Sequence, residues 1–524
     1  MIGRTGPVVK PTGATGMHLS GRQDLPDRLG RDRQVGRLQG PQQHNALGSG
    51  RTGHSGRGHI ASIERHSTVS SYQVVNPATG EAGQSYPETT DEQVQDVLAR
   101  SDAAYRSWRS TPKSERSAIL NRVAELHTER RDELAAIITR EMGKPTREAK
   151  GELHLVADIY RYYAEQGPAM LADEPLTPKG GGTAVVRKEA VGALIGIMPW
   201  NYPYYQVARF AAPNLMIGNT IILKHAPQCP ESALAMEQIF HDAGLPADAY
   251  INVFATNEQV ATMIADPRLV GVSVTGSERA GAAVAAEAGK NLKKVVLELG
   301  GSDPFIVLDS ADMDATIKAA VTGRMGNAGQ ACNAAKRLIV VDEVYEQFVE
   351  GFTAAMASLT PGDPFDKASD FGPLSSERAA RGLVEQITDA VEKGATLRTG
   401  GHRVDGPGAF VEATVLTEVT PDMRAYSEEL FGPAAVVYRV ADADAAVELA
   451  NSSPFGLGGV VFSADSAKAV DVANRLDTGM VWINSVQGTA SDLPFGGTKR
   501  SGVGRELGSY GIDEFVNKKL VYTP

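Results

Sequence analysis

The sequence predicts an α/β protein that is built on two doubly wound, mostly parallel sheets, with a small β-structured arm beside them. Short and nearly continuous apolar runs alternate with helical stretches from residue 191 to residue 484. Strands with this character are buried on both faces of a parallel sheet, because helices cover each face. A chain of 524 residues is also too long for one hydrophobic core, so two or three domains are expected.

The segment before the first sheet is predicted to be helical. Thr90 followed by Gln93 predicts a capping box, after which apolar residues recur at helical spacing. A second helix is predicted from about Ser114, because apolar residues share one face there. It is expected to continue to Gly143, where Gly-Lys-Pro is a helix-stop signal.

Two series of apolar runs predict the strands of the two sheets. The first series comprises residues 193–198, 220–223, 251–254, 270–275 and 295–299. The second comprises residues 304–308, 338–341, 435–440, 459–462 and 480–484. Gly300 and Gly301 separate the two series, so one sheet is expected on each side of this pair.

Two further segments are expected to form the arm. Residues 171–188 contain the turn Gly180-Gly181-Gly182 between flanks rich in Thr and Val, which predicts a hairpin. Residues 518–524 end the sequence in an extended pattern without a helical cap. Exposed strands of this kind pair readily with another subunit, so a homodimer or homotetramer is expected.

Residues 1–66 differ from the rest of the chain. Arg, Gly, His and Gln dominate there, basic side chains outnumber acidic ones, and apolar residues follow no period. This composition predicts a basic, disordered tail without the apolar stretch of a secretory signal. We interpret the tail as upstream sequence added by mis-started translation, with an arginine-rich transit peptide as the alternative.

Composition argues against several classes of function. The formal net charge of −11 at pH 7 disfavours nucleic acid or an anionic membrane as the main partner. No apolar run approaches the roughly 20 residues of a membrane-spanning helix. The two cysteines, Cys229 and Cys332, have no partner at CxxC or metal-binding spacing. A reducing, cytoplasmic location is therefore expected, although either thiol alone is equally typical of inert packing.

Three local features carry candidate chemistry. Residues 274–281 join a strand to a helix, and Gly276 would admit a phosphate to the free N–H groups of the helix start. Glu298 ends an apolar strand, where burial would raise its pKa towards that of a general base. Cys332 follows a loop of small residues, where a thiol could face a cleft. Each has an ordinary alternative: a plain glycine turn, a surface carboxylate or a packed thiol.

Six longer motifs follow one another in a fixed order. They are Pro199-Trp-Asn-Tyr-Pro203, Thr275-Gly-Ser277, Leu297-Glu-Leu-Gly-Gly301, Gly329-Gln-Ala-Cys332, Glu428-Glu-Leu-Phe-Gly-Pro433 and Pro494-Phe-Gly-Gly497. Together they resemble the aldehyde dehydrogenase superfamily over essentially everything from about residue 70 to the end. The patterns Arg-Phe-Ala-Ala-Pro and Lys-His-Ala-Pro look most like its NADP-dependent succinate-semialdehyde dehydrogenase branch.

The resemblance implies two Rossmann-like domains and an oligomerisation arm. Residues 67–171 and 191–300 would form the dinucleotide-binding domain, and residues 301–507 the catalytic domain. Residues 172–190 and 508–524 would form the arm.

The resemblance also implies covalent catalysis without a metal. Cys332 would attack the aldehyde, and the Asn201 side-chain amide and the Cys332 N–H would hold the thiohemiacetal oxyanion. Hydride transfer to a nicotinamide would leave a thioester, and Glu298 would activate the water that hydrolyses it. The implied cofactor-binding residues are Trp200, Lys224, Gly276, Ser277, Leu299, Glu429 and Phe431.

One departure from the family concerns the cofactor. Many relatives that prefer NAD carry a glutamate three residues after the lysine, and this chain has Pro227 there. Loss of that carboxylate removes repulsion against a 2′-phosphate, with which Lys224 and His225 would pair. NADP is therefore predicted as the preferred cofactor, with NAD possible.

A second departure concerns the substrate. Arg209 lies two helical turns beyond Asn201, where it would clamp a substrate carboxylate; the alternative is an arginine that reaches solvent or the partner domain. Phe495 and Trp200 would supply apolar walls, and Thr489 stands where relatives use a serine against that carboxylate. A second arginine of some relatives is replaced by Gly326, and the direction of nearby Arg324 is left open.

The sequence thus favours oxidation of succinate semialdehyde to succinate. Another semialdehyde or a general aliphatic aldehyde is the nearest alternative. A coenzyme A-acylating enzyme is disfavoured by Glu298, because a poised base favours water. A non-catalytic scaffold is disfavoured by the intact set of Cys332, Glu298, Asn201 and Lys224. Cys229 is expected to be structural, with a disulfide to Cys332 as the alternative.

Overall fold

Parallel sheets and covering helices make up most of the computed structural model, which describes residues 72–310 and 312–524. The predicted tail, residues 1–66, lies outside the described residues. The helices are α1 Asp91–Trp108, α2 Lys113–Glu129, α3 Arg131–Met142, α4 Thr146–Met170, α5 Pro203–Ile217, α6 Pro230–Asp242, α7 Asn257–Ala265, α8 Glu278–Lys290, α9 Met313–Met325, α10 Asp342–Ala357, α11 Glu377–Glu392, α12 Arg424–Ser427, α13 Ala443–Asn451, α14 Ser466–Arg475 and α15 Gly508–Gly511.

Ten strands of the described residues fall close to the predicted runs, and the others were not among those runs. The strands are β1 Tyr72–Val75, β2 Ala82–Tyr86, β3 Glu174–Leu176, β4 Thr183–Ala190, β5 Ala193–Met198, β6 Thr220–His225, β7 Tyr250–Asn252, β8 Leu269–Thr275, β9 Lys294–Glu298, β10 Asp303–Val307, β11 Ala335–Val341, β12 Thr396–Thr399, β13 Thr414–Thr417, β14 Ala434–Val440, β15 Phe455–Gly456, β16 Gly458–Phe462, β17 Met480–Ile483, β18 Thr498–Lys499, β19 Gly502–Val503 and β20 Val516–Thr523.

The first large sheet has the strand order β19-β9-β8-β5-β6-β7. Strands β5 to β9 run parallel to one another, and β19 joins the edge antiparallel to β9. The edge strand β19 therefore returns to the first sheet from a point in the chain beyond every strand of the second sheet.

The second sheet has the order β12-β13-β14-β11-β10-β16-β17 and is parallel except for its edge strand β12. Its central strands, β10 and β11, are buried along their whole length. The two sheets confirm the predicted α/β class with parallel strands, and the chain crosses from one to the other at Gly300-Gly301.

A separate three-stranded sheet has the order β20-β4-β3. Strand β20 pairs antiparallel with β4 over eight residue pairs, from Val516 with Ala190 to Thr523 with Thr183. The carboxyl-terminal strand was expected to pair with another subunit, but its ladder here lies within its own chain. Strand β4 offers it an unpaired edge of equal length, which explains the difference.

The helices before the first sheet correct the prediction in one place. The capping box of Thr90 and Gln93 is present at the start of α1. The expected single helix from Ser114 to Gly143 is two helices, because Arg130 leaves the helical region with φ −96° and ψ 13°. Helix α4 was not foreseen and packs against α2 and α5. Within the two described ranges, no helix combines the length and apolar character that crossing a membrane requires.

Candidate active site

Cys332 lies where two cavities meet. One cavity has a volume of about 290 Å³ and the other about 330 Å³, and both Cys332 and Gln206 line each of them. The thiol follows a turn in which Asn327 and Ala328 both have a left-handed φ of 53°. Such angles are uncommon for residues with a side chain, so they mark a loop that its surroundings hold in place.

Hydrogen bonds from several elements hold this turn. The Asn327 N–H donates to Glu148 Oε2 at 2.6 Å, and the Asn327 side-chain amide donates to the Asn201 carbonyl at 2.9 Å. Gln330 Nε2 donates to the Asn327 carbonyl at 3.1 Å, and Gln330 Oε1 accepts from the Ser375 N–H at 2.8 Å. The loop that carries the thiol is therefore tied to the loop that carries Asn201.

The 290 Å³ cavity brings together most residues that the resemblance assigned to the cofactor. The rings of Trp200 and Phe431 meet edge to face there, with centroids 5.7 Å apart. Parallel strands end at one edge of a sheet, and the loops after β5, β8 and β9 consequently converge on this cavity. The predicted residues that line it are Trp200, Asn201, Gly276, Ser277, Leu299, Cys332, Glu429 and Phe431.

The start of α8 faces the same cavity. Ser277 is its N-cap, and Ser277 Oγ accepts from the Ala280 N–H at 3.3 Å. A Cβ atom at Gly276 would meet no atom within 4 Å, so the space in front of the turn is open. The remaining N–H groups of the first turn carry partial positive charge, which attracts a phosphate.

A third cavity of about 270 Å³ lies between α7 and α8 and contains Lys224. Ile197, Val260 and Val284 give it apolar walls, and Arg279 supplies a second cation. Burial lowers the pKa of Lys224, which is 9% exposed. Two cations beside apolar walls suit a flat aromatic group that carries an anionic substituent.

His225 does not take the predicted part in this cavity. It is fully buried, its Nδ1 accepts from the Ala226 N–H at 2.8 Å, and its Nε2 lies 3.0 Å from the Pro203 carbonyl. Burial lowers the pKa of His225 to about 4, so the ring is neutral at neutral pH. The expected pairing of His225 with a 2′-phosphate is therefore corrected, and Arg279 is the second cation beside Lys224.

The surroundings of the Cys332 thiol favour its protonated form. Burial raises its pKa to about 12, and the negative charges of Glu429 and Glu298 act in the same direction. The charges of Arg209 and Lys336 lower that pKa but do not outweigh burial. Formation of the thiolate therefore depends on the cations that face the sulfur and on ligands that change their surroundings.

Asn201 points its amide towards the loop that carries Cys332. Its Nδ2 donates to the Gln330 carbonyl at 3.1 Å, which leaves the second N–H of the amide for another acceptor. Its Oδ1 accepts from Gln206 Nε2 at 3.4 Å. The Cys332 N–H has no hydrogen-bonded backbone acceptor among residues 72–310 and 312–524.

Glu298 lies at the end of β9, 2% exposed, and lines neither cavity that contains Cys332. Its carboxylate packs against Gly496, where a Cβ atom would be only 2.8 Å from Glu298 Oε1. Burial, reinforced by the negative charge of Glu506, raises the pKa of Glu298 well above its ordinary value. A carboxyl group with a raised pKa has the basicity that a general base needs near neutral pH.

The structure corrects the predicted clamp at Arg209. The side chain is fully buried, and its Nε lies 2.8 Å from Glu506 Oε2. Its Nη1 donates to the Tyr205 hydroxyl at 3.3 Å, and its Nη2 donates to Gln206 Oε1 at 2.5 Å. Helix α5 turns the guanidinium away from the cavities beside Cys332, and Glu506 supplies the carboxylate partner that a substrate was expected to supply.

The 330 Å³ cavity holds the other two predicted substrate residues, Thr489 and Phe495. Tyr205 lines the same cavity, and its hydroxyl accepts from Arg209 Nη1 at 3.3 Å. The guanidinium of Arg209 lies behind this wall, 4.8 Å from the Tyr205 ring centroid and 4.3 Å from that of Phe495. The wall therefore presents two hydroxyl groups with a cation directly behind them.

The open question about Arg324 has a clear answer. The side chain is fully buried; its Nε donates to the Ala434 carbonyl at 2.7 Å, and its Nη2 donates to the Leu430 and Gly432 carbonyls. Arg324 thus braces the loop that carries Glu429 and does not reach the substrate cavity. Gly326 does line that cavity, so the position of the missing second arginine is open space.

Several site residues escaped the sequence analysis. Tyr205 lines the substrate cavity, Arg279 the third cavity, and Lys336 and Glu506 are buried partners of predicted residues. A signal existed for Arg279 and Lys336, because both lie within four residues of a predicted site residue. The pairing of Glu506 with Arg209 spans 297 positions and leaves no local pattern.

The chain was compared with known protein families and proteins. The model described as "Aldehyde dehydrogenase family" matches residues 63–521. A succinate-semialdehyde dehydrogenase [NADP(+)] of Deinococcus radiodurans is 59% identical over 451 residues, which cover 86% of this chain and 94% of that protein. Succinate-semialdehyde dehydrogenase [NADP(+)] 1 of Mycobacterium tuberculosis is 43% identical over 86% of this chain and 98% of its own length.

A solved structure has a similar fold, and its match covers the same share of this chain as the matches of the two relatives. The crystal structure of succinic semialdehyde dehydrogenase from Streptococcus pyogenes, in complex with NADP+ as the cofactor, superposes with a TM-score of 0.85. Its sequence is 44% identical, and the match covers 86% of this chain and all of that chain, at 100%.

Proposed function

The chain belongs to the aldehyde dehydrogenase family, and we propose that it oxidises succinate semialdehyde to succinate with NADP+ as the hydride acceptor. The observation that carries this proposal is the position of Cys332 between two cavities. One is lined by the residues that resemble the family's cofactor site, and the other ends in the hydroxyl groups of Tyr205 and Thr489. The relatives described above are named for the same activity.

In the first half of the reaction, Cys332 is the nucleophile. Its thiol loses its proton to water, and Sγ forms a bond to the aldehyde carbon, so that negative charge develops on the former carbonyl oxygen. The free N–H of the Asn201 amide and the Cys332 N–H donate to this oxygen. When bound, NADP+ accepts the hydride that leaves the carbon, and a thioester to Cys332 remains.

In the second half, Glu298 is the general base. It takes a proton from water while the water oxygen attacks the thioester carbon, and the carbon–sulfur bond then breaks to release succinate and Cys332. The Glu298 carboxylate lies against Gly496 in this structure, so the side chain must rotate towards Cys332 to act. The glycine at position 496 admits the carboxylate in its present position, because a Cβ there would lie 2.8 Å from Glu298 Oε1.

The residues of the chain fit NADP+ on physical grounds. Lys224 and Arg279 line one cavity with apolar walls, where they would pair with the 2′-phosphate beside a stacked adenine. Pro227 leaves no carboxylate three residues after the lysine to repel that phosphate. The pyrophosphate would meet Ser277 and the first turn of α8, and Glu429 would accept from the nicotinamide-side ribose.

The substrate carboxylate would be recognised by the cavity wall of Tyr205 and Thr489 rather than by direct contact with Arg209. The Tyr205 and Thr489 hydroxyls would donate to the carboxylate, and the Arg209 charge behind them would stabilise its negative charge. Glu152 also lines this cavity, but its carboxylate is paired with the buried ammonium of Lys144. Glu152 Oε1 accepts from the Tyr204 and Tyr205 N–H groups at 2.9 and 3.1 Å, which places Tyr205.

Assembly into a homodimer or homotetramer through the three-stranded arm is part of the proposal. Strand β20 leaves one edge without a partner within the described chain, and Leu520 and Tyr522 on it are 61% and 49% exposed. An exposed apolar edge strand favours pairing with another subunit. Sedimentation of the Leu520→Asp variant should show smaller particles than the native chain, and an unchanged sedimentation coefficient would remove the arm from the interface.

Steady-state kinetics with the full chain tests the proposed function. Succinate semialdehyde and the neutral control propanal are compared, each with NADP+ and NAD+. We expect kcat/KM for the semialdehyde with NADP+ to exceed that for propanal by about a hundredfold, which is about 2.7 kcal/mol at the transition state. Equal values for propanal would overturn the substrate, and a preference for NAD+ would overturn the cofactor.

A further inference from the structure

We propose that Lys336 is a positioning residue that orients the Cys332 backbone amide and ties it to Glu429. One buried ammonium would thereby set both the oxyanion site and the carboxylate that meets the cofactor. The inference rests on the function proposed above, in which the Cys332 N–H is an oxyanion donor and Glu429 a cofactor ligand. Lys336 is the second residue of β11 and lies four positions after Cys332.

The Lys336 ammonium has a complete set of partners. It is 1% exposed, and its Nζ donates to the Ala331 carbonyl at 2.7 Å and to the Cys332 carbonyl at 2.6 Å. Its third partner is Glu429 Oε1, at 3.0 Å. Two hydrogen bonds and one ion pair therefore hold the ammonium group in one place.

The carbonyl of Ala331 determines where the Cys332 N–H points. The two groups belong to the same peptide unit, which is planar and trans, so they point in opposite directions. Because Lys336 Nζ and the Ala334 N–H, at 3.2 Å, both hold the Ala331 carbonyl, the Cys332 N–H is directed away from Lys336. The N–H that would bind the oxyanion is therefore aimed by the lysine on the far side of its own peptide.

Glu429 can approach Lys336 because two glycines, Gly300 and Gly301, lie beside its carboxylate and beside the Cys332 carbonyl. Its Oε1 also accepts from the Gly301 N–H at 3.2 Å, and a Cβ at Gly300 would lie 2.6 Å from Glu429 Oε2. A Cβ at Gly301 would lie 2.3 Å from the Cys332 carbonyl oxygen. Side chains at either position would push apart the carboxylate and the nucleophile loop, whereas glycine lets both approach Lys336.

Several charged side chains around Cys332 influence the pKa of its thiol, and the test of the Lys336 proposal must take all of them into account. The positive charges of Arg209 and Lys336 lower the pKa of the thiol, and those of Glu429 and Glu298 raise it. Asp303 also faces Lys336; burial raises the pKa of Asp303 to about 6, and the lysine opposes that rise. Removal of Lys336 and removal of the Glu429 charge must therefore move the thiol pKa in opposite directions.

The experiment compares Lys336→Met, Lys336→Arg and Glu429→Gln with the native full chain. Inactivation by iodoacetamide is followed against pH, and kcat and KM for NADP+ are measured with succinate semialdehyde. For Lys336→Met we expect kcat to fall about tenfold to a hundredfold, KM for NADP+ to rise, and the midpoint of alkylation to move to higher pH. Glu429→Gln should raise KM for NADP+ and move that midpoint to lower pH.

Controls separate this role from a purely structural one. Lys318→Met, an exposed position on α9, should leave both measurements unchanged, and Lys336→Arg should recover part of kcat by keeping the cation. A Lys336→Met protein that melts at a lower temperature but keeps the native alkylation profile and KM would overturn the proposal. If Lys336→Met does not fold, Lys336→Arg decides the question. It keeps the cation but alters the contacts with the Ala331 and Cys332 carbonyls, so kcat should fall while the midpoint of alkylation stays near the native value; a native kcat would overturn the proposal.

Failure of the proposed function would look different. A native chain that oxidises no aldehyde with NADP+ would refute the function proposed above, whereas an active native chain with an insensitive Lys336 refutes only the positioning role.

Discussion

Two buried pairs of opposite charge flank Cys332, and they differ in how far the carboxylate reaches a cavity. In the pair Arg209–Glu506, Nε and Oε2 are 2.8 Å apart and the side chains are 0% and 6% exposed. In the pair Lys336–Glu429, Nζ and Oε1 are 3.0 Å apart and the side chains are 1% and 20% exposed. The first pair lies behind a cavity wall, while the carboxylate of the second is part of one.

The difference in exposure determines what each pair can do. Arg209–Glu506 is a closed pair, which offers no atom to a ligand and acts through the residues in front of it and through its charge. Lys336–Glu429 is an open pair, because its carboxylate lines a cavity. Removing one partner of a closed pair strands the other in a low-dielectric interior, which costs far more than loss of an exposed pair. An open pair meets the ligand with one member, so its loss should appear first in binding and rate.

The largest expected effect comes from breaking the closed pair. Arg209→Met leaves Glu506 buried without its cation and should lower the free energy of unfolding by about 3–5 kcal/mol. Urea unfolding followed by circular dichroism measures it. Arg439→Met removes a half-exposed cation paired with Asp342 and should lower the free energy of unfolding far less. Similar losses for both variants would show that burial does not distinguish the pairs.

The next effect tests whether Arg209 acts through Tyr205. Tyr205→Phe keeps the ring over the guanidinium but removes the hydroxyl. The kcat/KM for succinate semialdehyde should fall by a factor that corresponds to a loss of about 1.5–3 kcal/mol of transition-state stabilisation. The value for propanal, which has no carboxylate, should change little. Tyr510→Phe, at an exposed tyrosine, is the matched control. An equal loss with both aldehydes would give Tyr205 a general rather than a selective role.

A smaller effect is expected at the cofactor cavity, where Arg279 is exposed. Arg279→Ala should raise KM for NADP+ by a factor corresponding to about 1 kcal/mol and leave KM for NAD+ unchanged, because only NADP+ carries the 2′-phosphate. Lys290→Ala, at the other end of α8, should change neither value. A parallel rise for both cofactors would assign Arg279 to the shared part of the nucleotide.

The smallest expected change is in pH dependence. Burial and the charge of Glu506 raise the pKa of Glu298, so activity should rise with pH through that raised pKa as the base loses its proton. Glu506→Gln removes the repulsion and leaves Arg209 without its carboxylate, so this rise should move to lower pH, and the variant should also be less stable than the native chain. A rise that stays in place would uncouple the two carboxylates. The same raised pKa makes Glu298 favour the folded state most at low pH, and that contribution is lost as pH increases through it.

Much of the fold was predictable because apolar residues that are close in the sequence mark most strands of the two large sheets. The apolar runs that predicted ten strands correspond to β5 to β11, β14, β16 and β17, with ends that differ by a few residues. The break at Arg130 was not predictable from periodicity, since the apolar face continues through it. Helix α4 was missed although buried residues such as Leu153, Val156 and Tyr160 recur in it at helical spacing.

The cofactor side of the site was more predictable than the substrate side. Trp200, Gly276, Ser277 and Leu299 follow directly after strands β5, β8 and β9, and parallel strands bring such loops together at one edge of the sheet. The substrate side depends on Arg209, whose direction is decided by Glu506 near the other end of the chain. The direction of His225 was likewise not predictable from the sequence, because only the fold shows that its Nε2 lies beside the Pro203 carbonyl.

The sequence by itself determined the order of the motifs, the proposed nucleophile and the parallel-sheet architecture, because each depends on residues that are neighbours along the chain. Tertiary structure alone decided which charged side chains face a ligand and which face each other. Arg209, His225, Arg324 and Lys336 are all buried by segments distant in sequence or by the backbone of a loop. A buried charge takes whichever partner the fold places within hydrogen-bonding distance, and no local pattern encodes that partner.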